Sequence, residues 1–205
     1  EYFEKLSDIK MPATKLEILV KMMRKQIREY SKVNQLAAKT FEQMLEDTIR
    51  VYHERRKHLT LEEAGETQEQ ASDDIIKAAY DHALEVLRQM KESRESFRKI
   101  GLTFEEKAFY DILLALRDQH NFEYGSDKEV DGVIINDKCK ALAQKVKEII
   151  DTKSSFADWL NNQNVRNQLK LDIKICLIKN GYPPQYSPEV VRKVMEQVEN
   201  FEENN

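Results

Sequence analysis

The stretch LEILVKMMRKQIREYSKVNQLAAKTFEQMLEDTIRV, from Leu16 to Val51, decides the fold class. Within it Leu16, Val20, Met23, Ile27, Tyr30, Asn34, Ala37, Phe41, Met44, Thr48 and Val51 recur at alternating intervals of four and three. Those intervals return side chains to one face of a helix, so the segment predicts a seam that packs along another helix. Pro12 and Ala13 suit its first turn, where an amide hydrogen is not needed. Ser31 and Asn34 leave two arrangements open, one long helix or two in succession. Charges take over at His53–His58, and TLEEAGETQEQ (Thr60–Gln70) has Gly65 and no apolar stripe, so it reads as a turn with frayed helix ends. The rhythm returns at Ile76, Tyr80, Ala83, Leu87, Met90, Arg94 and Phe97, with Ser72, Asp73 and Asp74 near the expected N-terminus. Two matching seams joined by a polar turn predict an antiparallel helical hairpin over residues 1–100. A parallel coiled-coil dimer is the competing use of the same stripe.

Outward from the hairpin, Ile100-Gly101 stops a helix, and Thr103 with Glu106 forms a capping box that starts the next. Phe104, Ala108, Phe109, Ile112, Leu113 and Leu116 make its expected buried face. From Gln119 to Asp131 the stripe vanishes around Gly125-Ser126, the expected mobile loop, and Val133-Ile134-Ile135 is β-like but too short and isolated for a sheet. Asp137 can cap a helix carrying Ala141, Leu142, Val146, Ile149 and Ile150, and Ser154 or Ser155 opens a short segment with Phe156 and Trp159. Asn164 is the expected cap of a helix bearing Val165, Leu169, Ile173, Cys176 and Leu177. Gly181 ends it, Tyr182-Pro183-Pro184 turns the chain, and Ser187-Pro188-Glu189 restarts a helix that buries Val191, Val194, Met195 and Val198. The expectation is an all-α architecture: the long hairpin, then a compact helical bundle over 101–205.

Composition agrees. In 205 residues there are 5 Gly and 4 Pro, and 34% of the chain is charged, which favours helices over a turn-rich sheet protein. No apolar run approaches the roughly 18 residues of a membrane span. Two cysteines, Cys139 and Cys176, are too few for a secreted disulfide scaffold and point to a reducing, cytoplasmic setting. A start at Glu1 reads as a piece of something larger. No glycine-rich phosphate loop can be drawn from Gly65, Gly101, Gly125, Gly132 and Gly181. His53 and His58 lie five apart, on different helix faces, and the acids Glu62, Glu63, Glu66 and Glu69 read as a solvated turn. Cys176 reads as a small core residue. No catalytic constellation, cofactor site or metal site is expected.

The net charge of −4 does not suggest a dedicated nucleic-acid binder, yet residues 138–184 carry 9 Lys and Arg against 4 Asp and Glu. Arg166, Lys170, Lys174 and Lys179 line a polar face behind Trp159. Two readings stand: a patch for an acidic partner or a phosphate backbone, or an ordinary solvated helix face. Trp159 is either core or an anchor for another chain.

Two blocks carry a resemblance. LTFEEKAFYDIL (Leu102–Leu113) and WLNNQNVRNQLKLDIKICLIKNGYPP (Trp159–Pro184) resemble the C-terminal helical region of type I restriction endonuclease R subunits, the HsdR family. The residues that match are Leu102, Thr103, Glu105, Glu106, Ala108, Phe109, Tyr110 and Asp111 in the first block. In the second they are Trp159, Val165, Arg166, Leu169, Lys174, Leu177, Gly181, Tyr182 and Pro183. Gln119–Ile135 departs from the pattern as a lineage-specific insertion would. The resemblance implies a parent enzyme that translocates DNA with ATP and Mg2+ and then cuts it, its motor and nuclease motifs lying N-terminal to this chain. It implies an assembly role: packing on the motor domains of the same chain, attachment to the methyltransferase (M) and specificity (S) subunits, and DNA met through the whole complex; with no long apolar run, no membrane partner is expected. Trp159, Arg166, Lys170, Lys174, Lys179 and Tyr182 are the candidate partner-binding residues. The alternatives are a DNA-contacting element that guides duplex to the motor and a structural coiled-coil dimer.

Overall fold

Lys32, Val33 and Asn34 break the first seam, so the two-helix arrangement is the one adopted. The computed structural model describes residues 11–62, 66–154 and 159–204, with side chains throughout except at 60–62 and 66–69. In chain order these hold α1 (Pro12–Ser31), α2 (Gln35–Glu62), α3 (Glu66–Ile100), α4 (Phe104–His120), strands β1 (Asp127–Val130) and β2 (Val133–Asn136), α5 (Asp137–Ser154), α6 (Gln163–Lys179), a 3-10 turn (Pro184–Tyr186) and α7 (Ser187–Asn204). The all-α class holds. No helix among the described residues is long and apolar enough to cross a membrane. Two compact units divide the chain: one combines the chain up to Tyr30 with Ala38–Arg94, the other Ser31–Ala37 with Glu95–Asn205.

The first unit is built on α1, α2 and α3. Leu16, Tyr52, Ile76 and Ala79 cluster at one end, while Tyr30 packs on Phe41 and its hydroxyl lies 3.0 Å from Ser93 Oγ. Helices α1 and α3 therefore run parallel, with α2 antiparallel to both. The seams are occupied by the chain's own helices, but in a shifted phase. In α2 the buried set is Ala38, Phe41, Leu45, Thr48 and Tyr52, whereas Ala37 and Met44 are only half-buried and Val51 is exposed. The same shift appears in α1, where Leu19 is buried and Val20 half-buried, because a four-three rhythm accommodates either of two neighbouring positions and packing selects one. In α3, Ala79 and Val86 are buried where Tyr80 and Leu87 were expected, and Arg94 is exposed beside a half-buried Ser93. Helix persists through Thr60–Glu62 and from Glu66 onward, so Ser72, Asp73 and Asp74 lie inside α3 rather than at its start; residues 63–65 of the expected turn fall outside the described residues.

In the second unit α4, α5, α6 and α7 enclose one core, with Phe109, Leu113, Leu116, Leu142, Leu169, Ile173 and Leu177 at its centre. The chain enters it through a C-terminal stop on α3: Gly101 has φ +71°, and the Leu102 amide donates to the Phe97 carbonyl at 2.9 Å. Thr103 and Glu106 form the expected capping box. Phe104 is exposed, contrary to expectation, and Tyr110 is buried instead.

Gln119–Asp131 is no featureless loop, and a small sheet does form. Strands β1 and β2 pair antiparallel with Val130 opposite Val133. Asp131 and Gly132 both take positive φ, 50° and 74°, the two-residue turn whose twist matches the strands. Asn136 pins this ribbon to the core. Its amide N–H donates to Tyr110 Oη at 3.0 Å, and its side chain donates to the Tyr124 carbonyl at 2.8 Å and accepts the Cys139 N–H at 2.9 Å. Asn136, not Asp137, thus caps α5, whose buried face uses Cys139 and Ala143 while Ala141 is exposed. Asn162, not Asn164, caps α6, accepting the Asn164 and Val165 amides. Ser154 closes α5, and the expected segment at Ser155 and Phe156 lies outside the described residues.

A helix break leaves amides and carbonyls without intrahelical partners, and here they are met within the second unit. Asn34 is buried; its Oδ1 accepts the Ala37 N–H at 3.0 Å, and its Nδ2 donates to Asp111 at 2.7 Å. From α7, Gln197 accepts the Gln35 N–H at 2.9 Å and donates to the Val33 carbonyl at 3.4 Å. Asn200 donates to the carbonyls of Ser31 and Lys32 at 2.9 and 3.0 Å.

Two stability outcomes follow. Asn200→Ala removes the two part-buried hydrogen bonds to the Ser31 and Lys32 carbonyls and is expected to lower stability by about 1–3 kcal/mol, read as an earlier urea midpoint. A Cβ at Gly125 (φ +70°) would lie 2.6 Å from Asn136 Oδ1 and 2.8 Å from Lys138 Cβ, whereas one at Gly132 meets nothing within 4 Å. Gly132→Ala is therefore expected to incur only left-handed backbone strain, roughly 1–2 kcal/mol. Gly125→Ala adds a steric term of about 1–3 kcal/mol, and equal losses at the two sites would contradict the packing described.

Candidate interaction surface

RNQLKLDIKICLIK, from Arg166 to Lys179, is apolar on two sides of one helix. Leu169, Ile173 and Leu177 point into the core of the second unit and are wholly buried. Leu171, Ile175 and Ile178 recur at i, i+4 and i+7 and remain 49%, 40% and 42% exposed. A helix that packs on the core with one side needs one apolar stripe; this one has a second that faces solvent. At about 100° per residue, Lys174 and Lys179 fall roughly 70° to either side of that stripe, so an ammonium group flanks each edge. Lys174 and Lys179 are both exposed.

The other candidate residues sit differently. Trp159 is 5% exposed and Tyr182 1%, so neither offers a side chain to a partner. The Tyr182 hydroxyl donates to the Leu113 carbonyl at 2.9 Å, and its ring packs edge-on against Phe122 and Tyr124. Arg166 is half-buried and committed: it pairs with Glu199 of α7 and donates to the Leu160 carbonyl at 3.1 Å. Its role is to tie the turn before α6 to the last helix. Lys170 joins it on the wall of a shallow cleft of about 360 Å3 between α6 and α7, opposite Val191, Arg192, Met195 and Glu196. The six residues are thus split: two in the core, two along the cleft, two beside the exposed stripe.

The positive excess of residues 138–184 is partly neutralised in the same way. Lys147 pairs with Glu105 at 2.8 Å and with Asp151, and Lys153 with Asp172 at 3.5 Å. Lys138 lies over the Tyr124 ring at 4.5 Å, and Lys145 donates to Asn180 Oδ1 at 2.5 Å. The sequence signal for Leu171, Ile175 and Ile178 is a second apolar row on one helix, masked because the core stripe alone accounts for α6.

Both cysteines lie in this unit. Burial pushes the Cys139 thiol up to about 12 and the Cys176 thiol up as well, so neither is a thiolate near neutrality. Among the described residues no group of three His, Cys, Asp or Glu is placed to hold a metal ion.

Comparison with known proteins gives a consistent answer. Residues 1–204 match the family described as type I restriction enzyme HindI endonuclease subunit-like, C-terminal. The chain is 28% identical over 206 residues to the "Type I restriction enzyme HindI endonuclease subunit" of Haemophilus influenzae, covering 98% of this chain and 17% of that protein. It is 26% identical over 181 residues to the "Putative type I restriction enzyme MjaIXP endonuclease subunit" of Methanocaldococcus jannaschii, covering 88% of this chain and 15% of that protein. The chain therefore spans about a sixth of these relatives' lengths. No solved structure matches.

The thiols give a direct check on the packing of α5 and α6. At pH 8, with both groups below their raised pKa, a disulfide reagent is expected to modify Cys176 slowly and Cys139 only as the unit unfolds. Rapid native-state labelling of Cys139 would contradict the burial.

Proposed function

We propose, from the premise that this chain belongs to the family of type I restriction enzyme HindI endonuclease subunit-like C-terminal regions, that it is a non-catalytic assembly module. In this reading it forms the C-terminal part of an endonuclease subunit whose other portions bind ATP and Mg2+, translocate DNA and cut it. The module packs on those motor domains and holds the subunit to the methyltransferase core of M and S subunits.

The observation that carries the reading is the second apolar stripe of α6. Leu171, Ile175 and Ile178 lie on a helix whose opposite face already fills the core. Apolar side chains in a row on a helix gain most when another surface removes them from water, at roughly 25 cal/mol per Å2. The stripe lies inside the block from Trp159 to Pro184 that carries the family resemblance.

A second reading has its own support. Lys138 lies 3.8 Å from where a Cβ at Gly181 would stand, Lys145 binds Asn180, and Lys179 precedes them. The Lys138 and Lys145 ammonium groups beside this turn suit phosphate, and binding of that kind weakens with salt in proportion to the phosphates neutralised. Anisotropy titrations of the endonuclease subunit on duplex DNA separate the two. Replacing Lys138 and Lys145 by Gln is expected to reduce the slope of log K against log salt by about 1 per lysine if these groups touch phosphate.

For the assembly reading, Leu171→Asp in the full endonuclease subunit places a carboxylate in the middle of the stripe. The subunit is expected to keep its melting temperature and to bind the methyltransferase at least about 30-fold more weakly, as for an interface hot spot. Undiminished assembly contradicts the reading.

A further inference from the structure

We infer that the surface covering the α6 stripe is an amphipathic helix whose apolar row is bordered by Asp or Glu side chains. This rests on the assembly reading above and adds the chemistry of the contact.

The shape comes first. Leu171, Ile175 and Ile178 form a row one side chain wide, and their seven-residue span is roughly 10 Å long at 1.5 Å per residue. A row of that kind fits the groove between the rows of another helix. The charge sets the partner's borders. Helix α6 carries Arg166, Lys170, Lys174 and Lys179 against a single acid, Asp172. Asp172 is already engaged, by Gln168 at 2.7 Å and Lys153 at 3.5 Å. The stripe is therefore edged by Lys174 on one side and Lys179 on the other, with Asn164 and Asn167 uncharged along its N-terminal approach. A partner bearing carboxylates at the matching positions gains on both edges, while a basic one is repelled on both.

The same charges argue against a second copy of this chain. Two-fold packing of the stripe on itself centres near Ile175 and sets Lys174 beside its own equivalent, so the edges oppose the contact. Three half-exposed side chains also supply a small part of the roughly 800 Å2 per partner that a stable interface buries. The apolar row acts as an anchor, and complementary charge at its borders has to provide the specificity.

The test uses the full endonuclease subunit and its methyltransferase, with affinity measured across a salt series for wild type, Leu171→Asp, the double reversal Lys174→Glu/Lys179→Glu, and Lys77→Glu on the exposed face of α3. The double reversal is expected to bind about tenfold more weakly at low ionic strength, two exposed pairs being lost and made repulsive, with the deficit shrinking as salt rises. Lys77→Glu is expected to behave as wild type. If Leu171→Asp disrupts assembly while the double reversal binds like wild type at every salt, or binds more tightly, the acidic partner is overturned and the assembly reading stands. If Leu171→Asp has no effect, the assembly reading itself fails. Self-association of the subunit that Leu171→Asp abolishes would make a second copy the occupant and overturn the inference.

Discussion

The second unit depends on the way a helix break is sealed. Between Ser31 and Gln35 the chain leaves one helix and starts another, exposing three carbonyls and two amides that a continuous helix would have paired. Side chains remote in sequence meet them. Asn200 and Gln197 come from α7, and Asp111 from α4 fixes the Asn34 carboxamide that caps α2. A polar group buried without its partner is costly, so these hydrogen bonds tie residues 31–37 to the last helix. That explains why α7 is buried on polar as well as apolar positions. Gln197 and Asn200 lie inside alongside Val194, Val198 and Phe201.

With α7 so held, α6 is fixed on its inner side. Leu169, Ile173 and Leu177 fill the core, Arg166 ties the start of the helix to Glu199, and Tyr124 donates to the Asn180 carbonyl at its end. The outer stripe is thereby held on a rigid element rather than a loop. For the contact proposed above, a stripe that is already ordered keeps the entropic penalty of association low. The basic character of the region contributes in two different ways: Lys147, Lys153 and Arg166 stabilise contacts between elements of the unit, while Lys174 and Lys179 face water beside the stripe.

Much of this was legible in the sequence, and the misses have physical reasons. Helix punctuation by Gly101, Thr103, Glu106, Gly181 and Pro188 stands where local chemistry placed it, because caps and stops depend on neighbours a few residues away. The seams were right in kind and shifted in detail. Where Ala79 lies next to Tyr80, or Ala38 next to Ala37, a four-three rhythm fits either phase, and only the three-dimensional packing selects one. Asp131-Gly132 between Val130 and Val133 did carry a hairpin signal, obscured because Asp127–Val130 is polar and exposed and does not look like a strand alone. The joint was not legible: Gln197 meets Gln35 across 162 residues, and no local pattern links them. The candidate site was half legible. Lys174 and Lys179 stand beside the exposed row, whereas Trp159 and Tyr182 combine aromatic bulk with burial, the commoner fate of such residues.

Covering of the outer face of α6, the assembly contact proposed above, is read at single residues by hydroxyl-radical footprinting of the endonuclease subunit, free and mixed with the methyltransferase proposed as its partner. Protection is expected at Leu171, Ile175 and Ile178, with unchanged labelling at Val130 and Ile134, which are at least as open on the ribbon of the same unit. Labelling of the α6 stripe that is the same in the free and assembled states would contradict it.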